Sequence, residues 1–259
     1  MPAPFMHILR LRLRQPQFYW FLGHLMSMYH FIRFHLAFFS SSSQKYHYGR
    51  FLLYVTITYG IVLYQFYKSG QLQRKNFMLQ LRQLDNLQYF CMVAVLYVCS
   101  LVGAMVNSAL YSPVIFSLFH CCNYFKENLL PFMPLQPILK STLNQRITFF
   151  IQRYNGSFLQ MAQVFEIMCG VRSGLLGLPI ATVSLLAGFN VQRISSLVAL
   201  LAYVCFFKLR YLRSETIRLL TGQYVGRMDD YVHSNVPSMA PKWQGYKQLV
   251  SRLFWRLPA

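Results

Sequence analysis

Long apolar runs alternate with short polar and basic breaks along this chain, and the longest run organises the rest. Between Asp85 and Lys126 no charged residue occurs, which is too apolar for a soluble surface helix and too long for one ordinary membrane crossing. Asn107, Ser108, Ser112 and Pro113 collect at its middle. Proline lacks a backbone donor and disfavours helical geometry at the residue before it, so the pattern predicts arms over 89–106 and 110–125. Both are near the lower limit for a full crossing, which reads as a hairpin that does not reach fully across. One long kinked helix is the other reading of the same stretch.

The same pattern predicts four more apolar arms, at 18–39, 51–67, 173–189 and 194–209. The first carries His24, His30, Arg33 and His35 at spacings that gather several of them on one helical side. That side is expected to face a bundle or a headgroup layer, as a polar inner face rather than a proton relay. Over 147–171 the apolar residues are interrupted by Gln152, Arg153, Asn155, Gln160, Gln163 and Glu166, which suits a helix at the interface or packed against the bundle. The expected fold class is all-α: a polytopic membrane protein of short helical hairpins, with a membrane domain over 18–209. A chain of 259 residues, 55% hydrophobic and 12% charged with positive mean hydropathy, agrees with that class.

Charge orients the arms. Twenty-five Lys and Arg stand against six Asp and Glu, a net charge of +19. The basic residues gather in the N-terminal segment 1–17, in 68–88, in 126–154 and in the tail 210–259. If three hairpins open to one side, only Lys45, Arg50 and Arg193 remain at the other, and the positive-inside rule makes the richer side, with both termini, cytosolic. The acceptor sequence Asn155-Gly156-Ser157 then lies on the cytosolic side. Segment 1–17 has no apolar core ending in a small-residue cleavage site, so the first arm is expected to serve as its own insertion signal. The expected charged partner is an anionic lipid surface, not nucleic acid.

The tail ends in an amphipathic segment, 243–257. Trp243, Tyr246, Leu249, Val250, Leu253, Phe254 and Leu257 recur at three- and four-residue steps, Lys247, Arg252 and Arg256 lie on the opposite side, and Trp255 falls on the flank. These eleven residues are the expected membrane-binding set, with aromatic anchors below and basic groups at the headgroups. Packing of the apolar face on the bundle, or in a partner's groove, remains open. A weaker version of the pattern runs over 211–224, and Asp229, Asp230, Pro237 and Pro241 predict a break between the two.

Chemistry is hard to find. Cys91, Cys99, Cys121, Cys122, Cys169 and Cys205 all lie in or beside apolar stretches and read as buried thiols. His120, Cys121 and Cys122 are adjacent on one helix end, point in different directions, and have no second cluster to complete a metal site. The six acidic residues are scattered, so no general acid/base pair is visible, and neither enzyme activity nor a cofactor is expected. Thr58, Tyr59, Gln65 and Phe66 match the spacing of a signature in insect gustatory receptors, which leaves a chemoreceptor-like channel as a minor alternative.

Residues 111–126 (YSPVIFSLFHCCNYFK), 136–155 (QPILKSTLNQRITFFIQRYN) and 206–214 (FFKLRYLRS), with QPQFYWFLGH from Gln15, resemble the family of transmembrane protein 33 and the fungal tetra-spanning pore-membrane proteins. The resemblance implies an endoplasmic reticulum and nuclear envelope protein that associates with nuclear pore complexes and works with reticulon-type proteins in shaping tubular membrane. It further implies a cytosolic C-terminal region with membrane-binding helices, here 243–257, and four spans where the apolar pattern gives six arms. Nucleoporins and reticulon-type proteins are the protein partners this suggests, and the Lys/Arg clusters of the tail add an import receptor. A passive anchor that recruits pore or import factors through its basic tail is the alternative function.

Overall fold

The computed structural model describes residues 5–258, so the first four residues of segment 1–17, Ala259 and the side chains of Phe5, Met6 and Arg74 lie outside the described residues. Among the described residues the chain is helical and contains no strand. Its α-helices are α1 (Phe5–Arg12), α2 (Pro16–Leu36), α3 (Ser41–Lys68), α4 (Phe77–Gln83), α5 (Asp85–Ser100) and α6 (Tyr111–Tyr124). They continue as α7 (Pro137–Val171), α8 (Leu178–Leu186), α9 (Val191–Arg213), α10 (Glu215–Asn235) and α11 (Ala240–Arg256). The protein is an all-α polytopic membrane protein. Among the described residues two helices, Pro137–Leu186 and Val191–Arg213, are long and apolar enough by themselves to cross a membrane.

Side-chain pairings set the directions of the bundle helices. Gly23 meets Thr58, and His30 shares a hydrogen bond with His47, so α2 and α3 run antiparallel. Tyr59 stacks on Tyr89 while Gly49 lies beside Ser100, which opposes α3 and α5. His24 reaches Ser117 and His35 reaches Tyr111, which opposes α2 and α6. Phe119 stacks on Phe150 and Tyr111 on Phe165, which opposes α6 and α7. The turns at 37–40, 101–110 and 187–190 therefore share one end. The N-terminal segment, the connections around 69–84 and 125–136, and the tail share the other.

Local sequence explains the boundaries. Pro16 and Pro137 sit in the first turn of α2 and α7, where no backbone donor is needed. Ser40 caps α3 by accepting from the Ser43 amide. α5 stops at Ser100, short of the expected 106, because Gly103 takes φ +88 and turns the chain. Residues 101–110 then dip into the bundle with Val106 and Leu110 buried, and the Val106 amide donates to Tyr48 Oη at 2.9 Å. Irregular backbone is tolerated at this depth because protein groups satisfy it. α6 matches the expected arm 110–125 closely, and Pro113 is tolerated because it falls within the first turn of the helix, where no backbone donor is needed.

The segments expected separately at 147–171 and 173–189 form one rod of 50 residues from Pro137 to Leu186. A π-turn over Arg172–Gly177 links α7 to α8 directly before Pro179, and the wider turn accommodates the proline without ending the helix. At about 1.5 Å per residue the rod is roughly 75 Å long, more than twice the hydrocarbon thickness. Its first turns therefore extend beyond the bundle. The expected polar face of α2 is met in part: His24 and His30 are buried and bonded to Ser117 and His47, His35 is half-buried and reaches Tyr111, and Arg33 is exposed.

Candidate membrane-binding site

The tail folds against the end of the bundle where α5 begins and α9 finishes. Ile217 and Leu220 of α10 pack with Ile167 of α7 and Phe207 of α9, and Phe254 of α11 joins the same cluster. Phe254 lies 6.2 Å from the Phe207 ring and 5.6 Å from the Tyr211 ring, centroid to centroid. Lys208, buried in α9, donates through Nζ to the carbonyls of Trp255 at 3.2 Å and Leu257 at 2.5 Å. It thereby satisfies carbonyls that the end of α11 leaves without helical partners, and a cation is favourable there.

A second contact holds the start of α11. Asp229 of α10 accepts from Lys247 Nζ at 2.7 Å and from Trp243 Nε1, and the Lys247 ammonium lies 5.9 Å from the Trp243 ring centre. The hydrogen bond from Lys247, then that from Trp243, hold the Asp229 carboxyl below the usual carboxylate range. A depressed folded value gives a contact that is complete above the unfolded aspartate range and lost as pH falls through the lower folded value. The latch is therefore expected to be constant around neutral pH and to open only in acid, which hydrogen exchange of α11 amides across an acid titration measures.

These contacts divide the expected membrane-binding set. Trp243, Lys247, Val250, Phe254 and Leu257 are half-buried and turn toward the protein, whereas Tyr246, Leu249, Leu253 and Trp255 are exposed with Arg252 and Arg256. α10 carries a matching open stripe of Tyr224, Met228 and Tyr231 beyond its buried first turns. Asp229 and Asp230 lie inside α10, so the break between the tail helices is confined to 236–239. Asp229 becomes a partner for α11 where the sequence reading had only a helix breaker.

Beneath the tail lies a charged network that the sequence reading did not assemble. Glu166 of α7 is fully buried, and its Oε1 accepts from Tyr89 Oη and from Ser112 Oγ at 2.8 Å. Its Oε2 accepts from Arg210 Nε at 3.1 Å. Arg210 also pairs with Asp85 at 3.1 Å, and Arg213 pairs with Asp85 at 2.7 Å. Four bundle helices thus meet at one carboxylate. A lone acid within an apolar helix was the available signal, because such a group needs a buried partner. His120, by contrast, lies against Trp20 and His24, and Cys121 packs with Phe18 and Phe21.

The family model described as Transmembrane protein 33/Nucleoporin POM33 matches residues 6–253, from α1 through most of α11. The chain is 51% identical to the "Pore and endoplasmic reticulum protein of 33 kDa" of Saccharomyces cerevisiae, over 99% of this chain and 96% of that one. It is 26% identical to "Tetra-spanning protein 1" of Schizosaccharomyces pombe, over 76% of this chain and 68% of that one. No solved structure matches it. The match runs through the bundle, the buried carboxylate and the tail alike, and the chain belongs to the Transmembrane protein 33/Nucleoporin POM33 family.

Proposed function

We propose that this chain binds curved membrane through its tail and supports the organisation of nuclear pore complexes and of reticulum tubules. It is a membrane protein of the endoplasmic reticulum and nuclear envelope. The observation that carries the curvature reading is the open strip of Tyr246, Leu249 and Leu253, flanked by Arg252 and Arg256 and anchored to the bundle by Phe254 and Lys208. Such a strip suits the boundary between headgroups and acyl chains. With the tail end cytosolic, as the basic excess requires, the helix and arms that fall short of a full crossing enlarge the cytosolic leaflet and favour positive curvature. Membrane lipids are the primary partner; nucleoporins, reticulon-type proteins and an import receptor are the protein partners of this reading.

Leu253→Asp tests it without touching the docking residues. Burial of one leucine contributes about 1.5–3 kcal/mol, so the full chain, tagged at its N-terminus, is expected to remain in the reticulum and lose enrichment at the nuclear rim. A chain ending at Ala240 is expected to do the same. Unchanged rim signal for Leu253→Asp, together with loss on changing Arg252 and Arg256 to Gln, would instead assign the tail to charge-driven recruitment of a protein, the anchor reading.

A further inference from the structure

At the end of the bundle opposite the tail, a polar cavity of about 370 Å³ opens between α8 and α9, lined by Ala181, Ser184, Asn190, Gln192, Arg193 and Ser196. Arg193 is held rigidly: its Nη1 donates to the carbonyls of Ser184 at 2.9 Å and Gly188 at 2.8 Å. A guanidinium has five N–H donors, so Nε and Nη2 remain without a partner among the described residues. Lys45, outside the lining, brings a second cation close to it: its Nζ and the Nε2 of Gln192, a lining residue, both border the space beside Gly103, within 4 Å of a side chain placed there.

Among the described residues, no Asp or Glu side chain lies at this end to neutralise those charges. All six carboxylates, those of Asp85, Glu127, Glu166, Glu215, Asp229 and Asp230, belong to the opposite end or to the tail. A fixed guanidinium with an ammonium nearby and neutral donors around it is matched to a phosphate, which accepts in the fork geometry that arginine offers. The surface beside the cavity decides which phosphate. Ile180, Val183 and Leu186 of α8 and Ile194 and Val198 of α9 are exposed and apolar, and Phe189 at the turn is 82% exposed. An inorganic anion has no use for those walls, whereas acyl chains lie along them.

We propose that this cavity binds the phosphate of a phospholipid in the leaflet at that end of the bundle, with Arg193 as the principal donor, Lys45 and Gln192 assisting, and the acyl chains against α8 and α9. The site lies at the far end of the molecule from the proposed curvature-binding tail and is independent of it. It gives the unpaired cations of the weakly basic side a counter-ion and fixes the depth of the α8 and α9 hairpin.

The test uses the full chain purified in detergent and native mass spectrometry with three probes: dioctanoyl phosphatidic acid, dioctanoylglycerol and inorganic phosphate. Saturable binding of the phosphatidic acid alone is expected. Arg193→Gln is expected to weaken it about tenfold or more through loss of a charge-assisted contact. Since Arg193 also ties the hairpin turn together, Ser196→Leu serves as the second variant: it fills the cavity, leaves every Arg193 bond in place, and is expected to weaken binding to a similar degree. Equal binding of dioctanoylglycerol would reduce the site to apolar contact and overturn the proposal. Inorganic phosphate binding as tightly as the lipid would overturn the lipid assignment, and phosphatidic acid binding that Ser196→Leu leaves unchanged would overturn the location.

Discussion

Arg210→Leu is expected to lower the stability of the bundle by about 3–5 kcal/mol, because it leaves a buried carboxylate without its cation. Glu166 is fully buried, and Arg210, at 3.1 Å, is its positive partner among the described residues. Tyr89 and Ser112 still donate to Oε1 in the variant, but neutral donors do not replace the lost charge. The guanidinium also lies 5.3 Å from the Tyr89 ring centre, and Tyr89 stacks on Tyr59 with a centroid distance of 5.5 Å. Losing it therefore loosens α3, α5, α7 and α9 together. The double variant Arg210→Leu with Glu166→Leu is expected to recover most of the loss, since apolar replacement of a whole buried pair is often neutral or stabilising. Unfolding midpoints of the detergent-purified chain decide the matter. A single variant as stable as the parent would mean that the pair contributes no net stability.

The second large effect is expected at Gly170. A side-chain carbon built there would lie 2.5 Å from Cγ of Phe207 and 2.8 Å from its Cδ1, distances that no packing tolerates. Close approach of α7 and α9 thus depends on the absence of a side chain, as it commonly does between helices in lipid. Gly170→Val is expected to force Phe207 aside at about 1–3 kcal/mol for the overpacking. Phe207 is also the seat of Phe254 and packs with Ile217 and Leu220. The variant should therefore release the tail as well as destabilise the bundle, and limited proteolysis of the 236–239 connection beside the unfolding midpoint separates the two effects. A tail as protected as in the parent chain would show that α10 and α11 hold their position without Phe207.

Arg210 and Gly170 also separate what local sequence carries from what packing between distant segments decides. The apolar arms were legible because each local window reports its own hydrophobicity, and the expected 18–39, 110–125 and 194–209 fall close to α2, α6 and α9; α3 instead begins at Ser41 rather than at the expected 51, because its first turns carry Ser42, Gln44 and Lys45, which a hydrophobic pattern reads as a loop. The charged network was not, because Asp85, Glu166 and Arg210 lie far apart in sequence and each, taken singly, reads as an interfacial charge. The end of α5 was read too long because an apolar run over 101–106 looks the same whether it continues a helix or folds back into a bundle. The rod from Pro137 to Leu186 was read as two pieces because prolines and glycines normally interrupt helices, and a π-turn is invisible in a hydrophobic pattern.

The tail shows the same division at one element. Periodicity alone predicts a two-sided helix over 243–257, since three- and four-residue recurrence places Trp243, Leu253 and Phe254 on one broad face whatever the surroundings, and α11 runs over Ala240–Arg256. Composition determined the all-α membrane class, and the family resemblance was carried by contiguous stretches of residues. Which half of the tail's apolar face is covered was decided only by the tertiary structure. Phe207, Lys208 and Tyr211 on α9 and Asp229 on α10 take Phe254, Trp243 and Lys247, and leave Tyr246, Leu249 and Leu253 open. The physical reason is range: hydrophobic patterning is a property of neighbours within two turns of one helix, whereas the partner that buries a face or neutralises a charge is chosen by packing between segments remote in the chain.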